Sequence, residues 1–217
     1  MRELVVNTFL TLDGVMQAPG GPEEDPSGGF EHGGWSFGYW DERMQQVMGE
    51  SMSRPFDLVL GRKTYEIFAA HWPHSDGPGA EPLNRATKHV ASKTLTELEW
   101  ENSRLIEGEV PDGVRALKDE DGPELQVHGS ANLLQTLLEH GLVDELRLWI
   151  FPLVLGSGKR LFDGGTVPDG MELTSSQVSS TGVIMATYRG GAEIKSGSFA
   201  AEEPSEAEQA RRAAQER

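Results

Sequence analysis

LQVHGSANLLQTLLEHGLVDELRLWIFPLVLGSGKRLFDGG, residues 125 to 165, opens with a short apolar run, Leu125 to Val127, and turns at His128-Gly129-Ser130 directly into an amphipathic pattern. Leu133, Leu134, Leu137 and Leu138 recur at helical spacing, so a strand is followed at once by a helix with one apolar face. Ser130 is the natural N-cap of that helix, and Gly129 lets a ligand approach the backbone without meeting a Cβ. Gly141 ends the helix, with Leu142 placed for the hydrophobic contact of a glycine C-cap. Leu146 to Phe151 then reads as a second strand, closed by Pro152. Strand, capped helix and strand make a βαβ unit, which predicts parallel strands joined by a right-handed crossover. Ligands bind such units at strand C-termini. Here that end is the helix N-terminus at Gly129, Ser130, Ala131, Asn132 and Leu133, where free amides and the helix dipole favour a phosphate or another anion, the alternative being a helix that is simply well capped.

A second junction of the same kind lies upstream. Asp57 to Leu60 is a short apolar strand, Gly61 breaks it, and Arg62-Lys63-Thr64-Tyr65 starts a helix. Two cations in a first helical turn oppose the helix dipole, so they make more sense with an anion bound there than as solvated surface residues. The chain carries 19 Lys and Arg against 35 Asp and Glu, a formal charge of −16, so this local reversal of sign is informative. Ser92-Lys93-Thr94, after the short strand expected over Lys88 to Ala91, offers a possible third anion contact.

The net charge argues against nucleic acid or an anionic membrane as partner, since both would be repelled. With no cysteine there is neither a disulfide nor a thiolate metal site, and His71-Trp72-Pro73-His74 finds no further ligand at metal spacing. No signal peptide or long apolar segment is present, which predicts a soluble cytoplasmic protein. A length of 217 residues fits one well-buried domain, here residues 1 to 190. Residues 191 to 217 read as an acidic tail outside it, disordered or helical and solvated.

Elsewhere Leu4 to Phe9 has the pattern of a central strand, ended by Asp13-Gly14. Residues 18 to 39 are rich in Gly and Pro but finish in Trp35, Phe37, Tyr39 and Trp40, so this loop is either a lid over a site, with Trp35 and Trp40 stacking on a flat ring, or a segment whose aromatics pack back onto the core. Asp41 starts a helix through Met44, Val47, Met48 and Met52. Ser103 to Ile106 is a weak strand, Val114 to Lys118 a short helix, Leu153 to Phe162 a loop with two more cations, and Glu172 to Val178 with Val183 to Tyr188 an antiparallel pair closing the sheet. In the strand Leu146 to Phe151, Leu146, Leu148 and Ile150 alternate with Trp149 and Phe151. Two such apolar faces predict a homodimer built around Arg147 to Phe162, unless the aromatics pack under a helix of the same chain.

Leu58-Val59-Leu60-Gly61-Arg62-Lys63-Thr64-Tyr65-Glu66 resembles the cofactor motif of the dihydrofolate reductase superfamily. Gly129-Ser130 through Gly141-Leu142-Val143-Asp144-Glu145-Leu146, with Pro152, Leu155-Gly156-Ser157-Gly158 and Leu161-Phe162, is similar to the C-terminal reductase domain of bifunctional riboflavin biosynthesis proteins. The resemblance covers roughly residues 2 to 190 and implies an α/β, dihydrofolate-reductase-like three-layer fold, with a mixed, mainly parallel central sheet flanked by helices. It implies an NADPH-dependent reductase of the phosphoribosylaminouracil type acting on a small heterocyclic or sugar-linked substrate; a dihydrofolate reductase and a non-catalytic nucleotide-binding protein are the alternatives. Gly61, Arg62, Lys63 and Thr64 would meet the cofactor phosphates, Ser92 and Lys93 the adenosine 2′-phosphate, and Gly129 to Leu133 the pyrophosphate. The chain departs from the family in having His128-Gly129 where dihydrofolate reductases have Gly-Gly, and in lacking their acid after Pro-Trp. Asp41, with Asp13 behind it, is the candidate proton donor, although an N-cap role also suits Asp41. The zinc deaminase half of the riboflavin proteins, with its paired cysteines, is absent from this sequence.

Overall fold

The computed structural model of the chain describes residues 1–163, 167–199 and 204–215. Eight strands form one sheet: β1 (Leu4–Thr11), β2 (Phe56–Gly61), β3 (Lys88–Ala91), β4 (Ser103–Leu105), β5 (Glu124–His128), β6 (Glu145–Phe151), β7 (Gly170–Val178) and β8 (Ile184–Ala192). Their order is β4-β3-β2-β5-β1-β6-β8-β7. The first six are parallel, while β8 runs antiparallel to β6 and β7 antiparallel to β8. The fold is therefore the α/β arrangement with a mixed, mainly parallel sheet that the resemblance implied. β5 and β6 are parallel, but β1 lies between them and pairs with both.

Helices cover both faces. α4 (Val110–Asp119) and α5 (Ala131–Glu139) bring Val114, Leu117, Leu133, Leu134 and Leu137 against Leu4, Val6, Leu125, Val127, Leu146 and Leu148. Leu134 and Leu137 are fully buried, and each contributes about 1.5–3 kcal/mol by leaving water. Gly141, at φ +60°, ends α5 with its N–H on the Leu138 carbonyl and the Leu142 N–H on that of Leu137, the paired closure expected of a glycine C-cap. On the opposite face α2 (Arg62–His71) and α3 (Ala80–Arg85) cover β2 and β3 through Tyr65 and Leu83. α1 (Glu42–Met52) places Met44 over Trp149, Phe151 and Met185. A gap between α1 and α2 leaves part of this sheet face open.

Three expectations change. α4 begins four residues before Val114, because Pro111 sits in its first turn, where a missing N–H costs nothing. Trp149 and Phe151 are 7% and 0% exposed, packed under α1, so two apolar strand faces are satisfied inside one chain and the motive for a homodimer at this strand disappears. β8 runs on to Ala192, past the expected domain end at residue 190. The tail carries α6 (Glu206–Gln215), which buries none of its residues; residues 200–203 and 216–217 of that tail lie outside the described residues, as do Gly164 and Gly165. Among the described residues no helix is long and apolar enough to cross a membrane.

Candidate functional site

Two strand-to-helix junctions meet in the sheet plane at neighbouring strands β2 and β5. Gly129 and Ser130 are both left-handed, with φ of +66° and +65°, unusual for serine. That backbone turns the Ser130 side chain away from its own helix, so it makes no cap hydrogen bond, contrary to the N-cap expected of it. Its Oγ instead accepts the Gly61 N–H at 2.9 Å and donates to Thr64 Oγ1 at 2.7 Å. A Cβ on Gly61 would lie 3.2 Å from Ser130 Cβ and Oγ, so glycine is what lets the two junctions close on one another. Neither α2 nor α5 has a side-chain N-cap or an acidic residue in its first turn, and their amides are left for another acceptor.

Both junctions open into a cleft of about 1600 Å³. Every residue expected to hold a cofactor, namely Gly61, Arg62, Lys63, Thr64, Ser92, Lys93, Gly129, Ser130, Ala131, Asn132 and Leu133, lines it. The Arg62 guanidinium reaches Thr94 Oγ1 at 3.3 Å, across from the end of β3. Lys63 lies 3.6 Å from Asp25 and Lys93 3.6 Å from Glu109, with both lysine side chains more than half exposed. Among the described residues no group of three or more His, Asp or Glu is arranged to hold a metal.

The other half of the cleft has a sheet floor whose composition follows from strand register. His128, Asn7, Arg147, Thr187 and Ser175 form one row across β5, β1, β6, β8 and β7. Two residues further along, Phe9, Trp149, Met185 and Gln177 form the next. Side chains two apart share a strand face, so a polar row and a mainly apolar row floor the same space. The polar row is wired. Glu124 accepts two guanidinium N–H groups of Arg147 at 3.0 and 3.1 Å and the Gln126 amide at 2.5 Å. Burial opposes charge on Glu124, but these donors hold its carboxyl below the usual range. A carboxylate only accepts, so Gln126 turns its carbonyl to His128 Nε2, 2.8 Å away. That puts the imidazole proton on Nε2 and leaves Nδ1 an acceptor. Burial first, and the Arg147 charge second, depress His128 to about 4. The ring is neutral at pH 7, in contact with Phe56 and Phe68.

This depression predicts an acid-sensitive fold. His128 would titrate at 6.5 when unfolded and at about 4 when folded, so between those values the unfolded chain binds more protons. Stability from this group is therefore full above pH 6.5 and declines by about 3 kcal/mol as pH falls to 4. Urea unfolding at pH 7 and pH 4.5 should show His128→Gln losing less stability on acidification than the wild type; equal losses would refute the assignment.

The expected proton donors stand elsewhere. Asp13 accepts from Thr11 Oγ1 at 2.6 Å and from the Leu155 and Gly156 amides, contacts that lower it to about 2 and pin the loop after β6 to the end of β1. Asp41 caps α1 through the Met44 amide at 2.8 Å and takes the Ser180 amide and hydroxyl on its other oxygen. The Met44 and Ser180 bonds hold it below the ordinary carboxylate range, an acceptor rather than a donor. Neither aspartate lines the cleft. Trp35 is also turned away, its indole N–H on the Gln17 carbonyl at 2.7 Å and its ring edge-on to Phe151. Only Trp40 of the expected aromatic pair reaches the cleft, beside Phe9 and Trp149.

Sequence reading passed over Glu24, which does line the cleft. Its Oε2 accepts the amides of Gly20 and Gly21 at 2.6 and 3.2 Å. Burial outweighs these bonds and raises its carboxyl, with the Asp25 charge adding to the rise. The available signal was the run Glu23-Glu24-Asp25, acidic residues inside a Gly- and Pro-rich loop. That loop is a wall bound to itself: Gln17 Nε2 donates to the carbonyls of Asp25 and Ser27, and a Cβ on Gly33 would lie 2.5 Å from the Gly21 carbonyl.

Comparison with known proteins agrees with this architecture. An uncharacterized protein of Bacillus subtilis strain 168, YyaP, is 26% identical over 196 residues, covering 86% of this chain and 94% of its own. The crystal structure of a putative riboflavin biosynthesis protein from Shewanella sp. PV-4 superposes with a TM-score of 0.63 at 21% identity, over 88% of this chain and 99% of that one. Dihydrofolate reductase from Enterococcus faecalis, solved in complex with NADP(H), gives 0.56 at 16% identity over 88% and 97% of the two chains. The sequence profile of the RibD C-terminal domain matches residues 2–185, so that this chain, with its paired strand-to-helix junctions and mixed sheet, belongs to the RibD C-terminal domain family.

Proposed function

We propose that this protein is an NADPH-dependent reductase of a small heterocyclic substrate. The observation that carries the reading is the convergence of two helix N-termini without side-chain caps and three cations, Arg62, Lys63 and Lys93, on one cleft in a chain of net charge −16. Amides at the starts of α2 and α5 suit a pyrophosphate. The cations beyond them suit the additional 2′-phosphate. When bound, NADPH supplies a hydride from its nicotinamide ring. The chain's part would be to hold that ring in the cleft, where Phe9 and Trp149 offer apolar surface, to exclude water with the wall of residues 18 to 25, and to provide a proton. Glu24 is the group fitted for the last task, since it is the cleft carboxyl whose affinity for a proton is raised. Its other oxygen, Oε1, can carry the proton while Oε2 keeps the two amides.

Titration calorimetry tests the cofactor. NADPH should bind more tightly than NADH, and Arg62→Ala should weaken NADPH by about 1.5–3 kcal/mol, the range for one charge-assisted contact. Equal affinity for the two dinucleotides would remove the 2′-phosphate assignment.

A further inference from the structure

The gap between α1 and α2 is a branch of the cleft with a chemistry of its own. From α1 the row Gln45, Met48, Gly49 and Met52 lines it, and from α2 and its C-cap the row Thr64, Phe68, His71 and Trp72, each at the spacing of one helical face. A Cβ on Gly79 would lie 3.2 Å from the Trp72 ring and 3.6 Å from Leu83, so glycine there lets the indole lie along the start of α3. Met52, Phe68 and Trp72 pack on the cluster that holds Phe56 and Leu83, whereas Val47 and Met48 pack on the one that holds Trp149 and Phe151. The two walls are therefore anchored to different cores.

Among the described residues that line the cleft, none between 45 and 52 or between 67 and 83 carries an Asp, Glu, Lys or Arg side chain. The exposed Arg43 and Glu50 of α1 are joined to Gln46, which does not line the branch. Polar groups at its edge are satisfied within the protein: Ser51 Oγ donates to the Met48 carbonyl at 2.8 Å, and the Trp72 carbonyl accepts Asn84 Nδ2 at 3.0 Å. What remains is half-buried thioether and aromatic surface, which adapts to apolar shapes. Gly49 adds an independent observation. It stands inside α1, where only proline suits a helix less, and a Cβ there would find nothing within 4 Å. No neighbour in the protein requires the missing side chain; a ligand lying across α1 between Met48 and Met52 would.

We infer that this branch receives an uncharged apolar substituent of the substrate, aryl or alkyl, laid across Gly49 between Met48, Met52, Phe68 and Trp72. The inference rests on the reductase reading and adds the part of the substrate that lies away from the reacting ring. The full chain with methyl-labelled methionine, saturated with NADPH as verified by calorimetry, is titrated at pH 7 with 2-naphthol as the probe and followed by NMR. The Met48 and Met52 signals should shift, and that of Met171, exposed on β7, should stay. The anion 2-naphthoate, which must bring a carboxylate into a groove without a cation, should bind about tenfold more weakly. Gly49→Leu occupies the space over α1 while improving the helix, so it should raise the melting temperature, keep the affinity for NADPH and weaken 2-naphthol about tenfold. Naphthoate binding as tight as that of naphthol, shifts at Met171 that match those at Met48 and Met52, or a naphthol affinity unmoved by Gly49→Leu would each overturn the inference. So would a dimer that Gly49→Leu dissociates, because the groove would then belong to a second copy of the chain. Each of these leaves NADPH binding, and with it the reductase reading, intact; failure of NADPH itself to bind would overturn both.

Discussion

Glu24→Gln is expected to lower kcat by about 100- to 10,000-fold, the range supplied by a positioned general acid. The amide retains shape and can still accept from Gly20 and Gly21, so the loop should keep its fold and the variant should bind NADPH as the wild type does. What it loses is a proton to give. The pH profile separates this from a structural effect. Glu24 is raised by burial, so wild-type kcat should fall as pH rises through its elevated pKa, and the variant's residual rate should lack that limb. Stopped-flow measurement of NADPH oxidation in single turnovers, with any substrate the protein reduces, reads the chemical step directly. A loss under about threefold, or an unchanged alkaline limb, would transfer the proton to solvent and remove Glu24 from the reaction.

The fold was legible in the sequence wherever a pattern was local. The strand-glycine-helix junctions at Gly61 and Gly129, the Gly141 cap and the final antiparallel hairpin all announce themselves within about ten residues, because turn chemistry and side-chain period act over that range. The residues expected to hold a cofactor could be picked out for the same reason, since they stand at strand C-termini, and the structure brings them to one cleft. The sheet floor beside them could not. His128, Asn7, Arg147, Thr187 and Ser175 come from five strands spread over 181 residues, and only register makes them a row. Nothing local distinguishes Arg147, between Leu146 and Leu148, from a solvated strand residue until Glu124 is placed opposite it. Carboxylate chemistry failed the reading in the other direction. Asp13 and Asp41 have polar loop positions that suit either an acid or a structural acceptor, and hydrogen-bond partners 139 to 143 residues away decide for the acceptor.

In the loop from 18 to 39 one side chain decides whether the aromatic end is wall or lid. Phe151 is fully buried, with Phe9, Trp35 and Tyr39 around it at centroid distances of 5.4, 5.1 and 5.7 Å. Trp35 and Tyr39 both meet it edge-on, so the loop is moored to the sheet through this ring. Phe151→Ala should cost about 3–5 kcal/mol, combining lost transfer energy with a cavity that rigid aromatic neighbours cannot collapse. Phe151→Leu, which fills most of the space but ends the edge-on contacts, should cost less. Guanidinium unfolding gives both numbers. Because Trp35 is also held by the Gln17 carbonyl, and Gln17 in turn by Asp25, the alanine variant should loosen the cleft wall as well as the core. Hydrogen exchange at residues 17 to 25 should accelerate more than the global loss in stability accounts for. A loss below about 1 kcal/mol, with exchange unchanged, would mean that the loop holds itself through Gly33 and Gln17 alone and that the aromatic mooring is incidental.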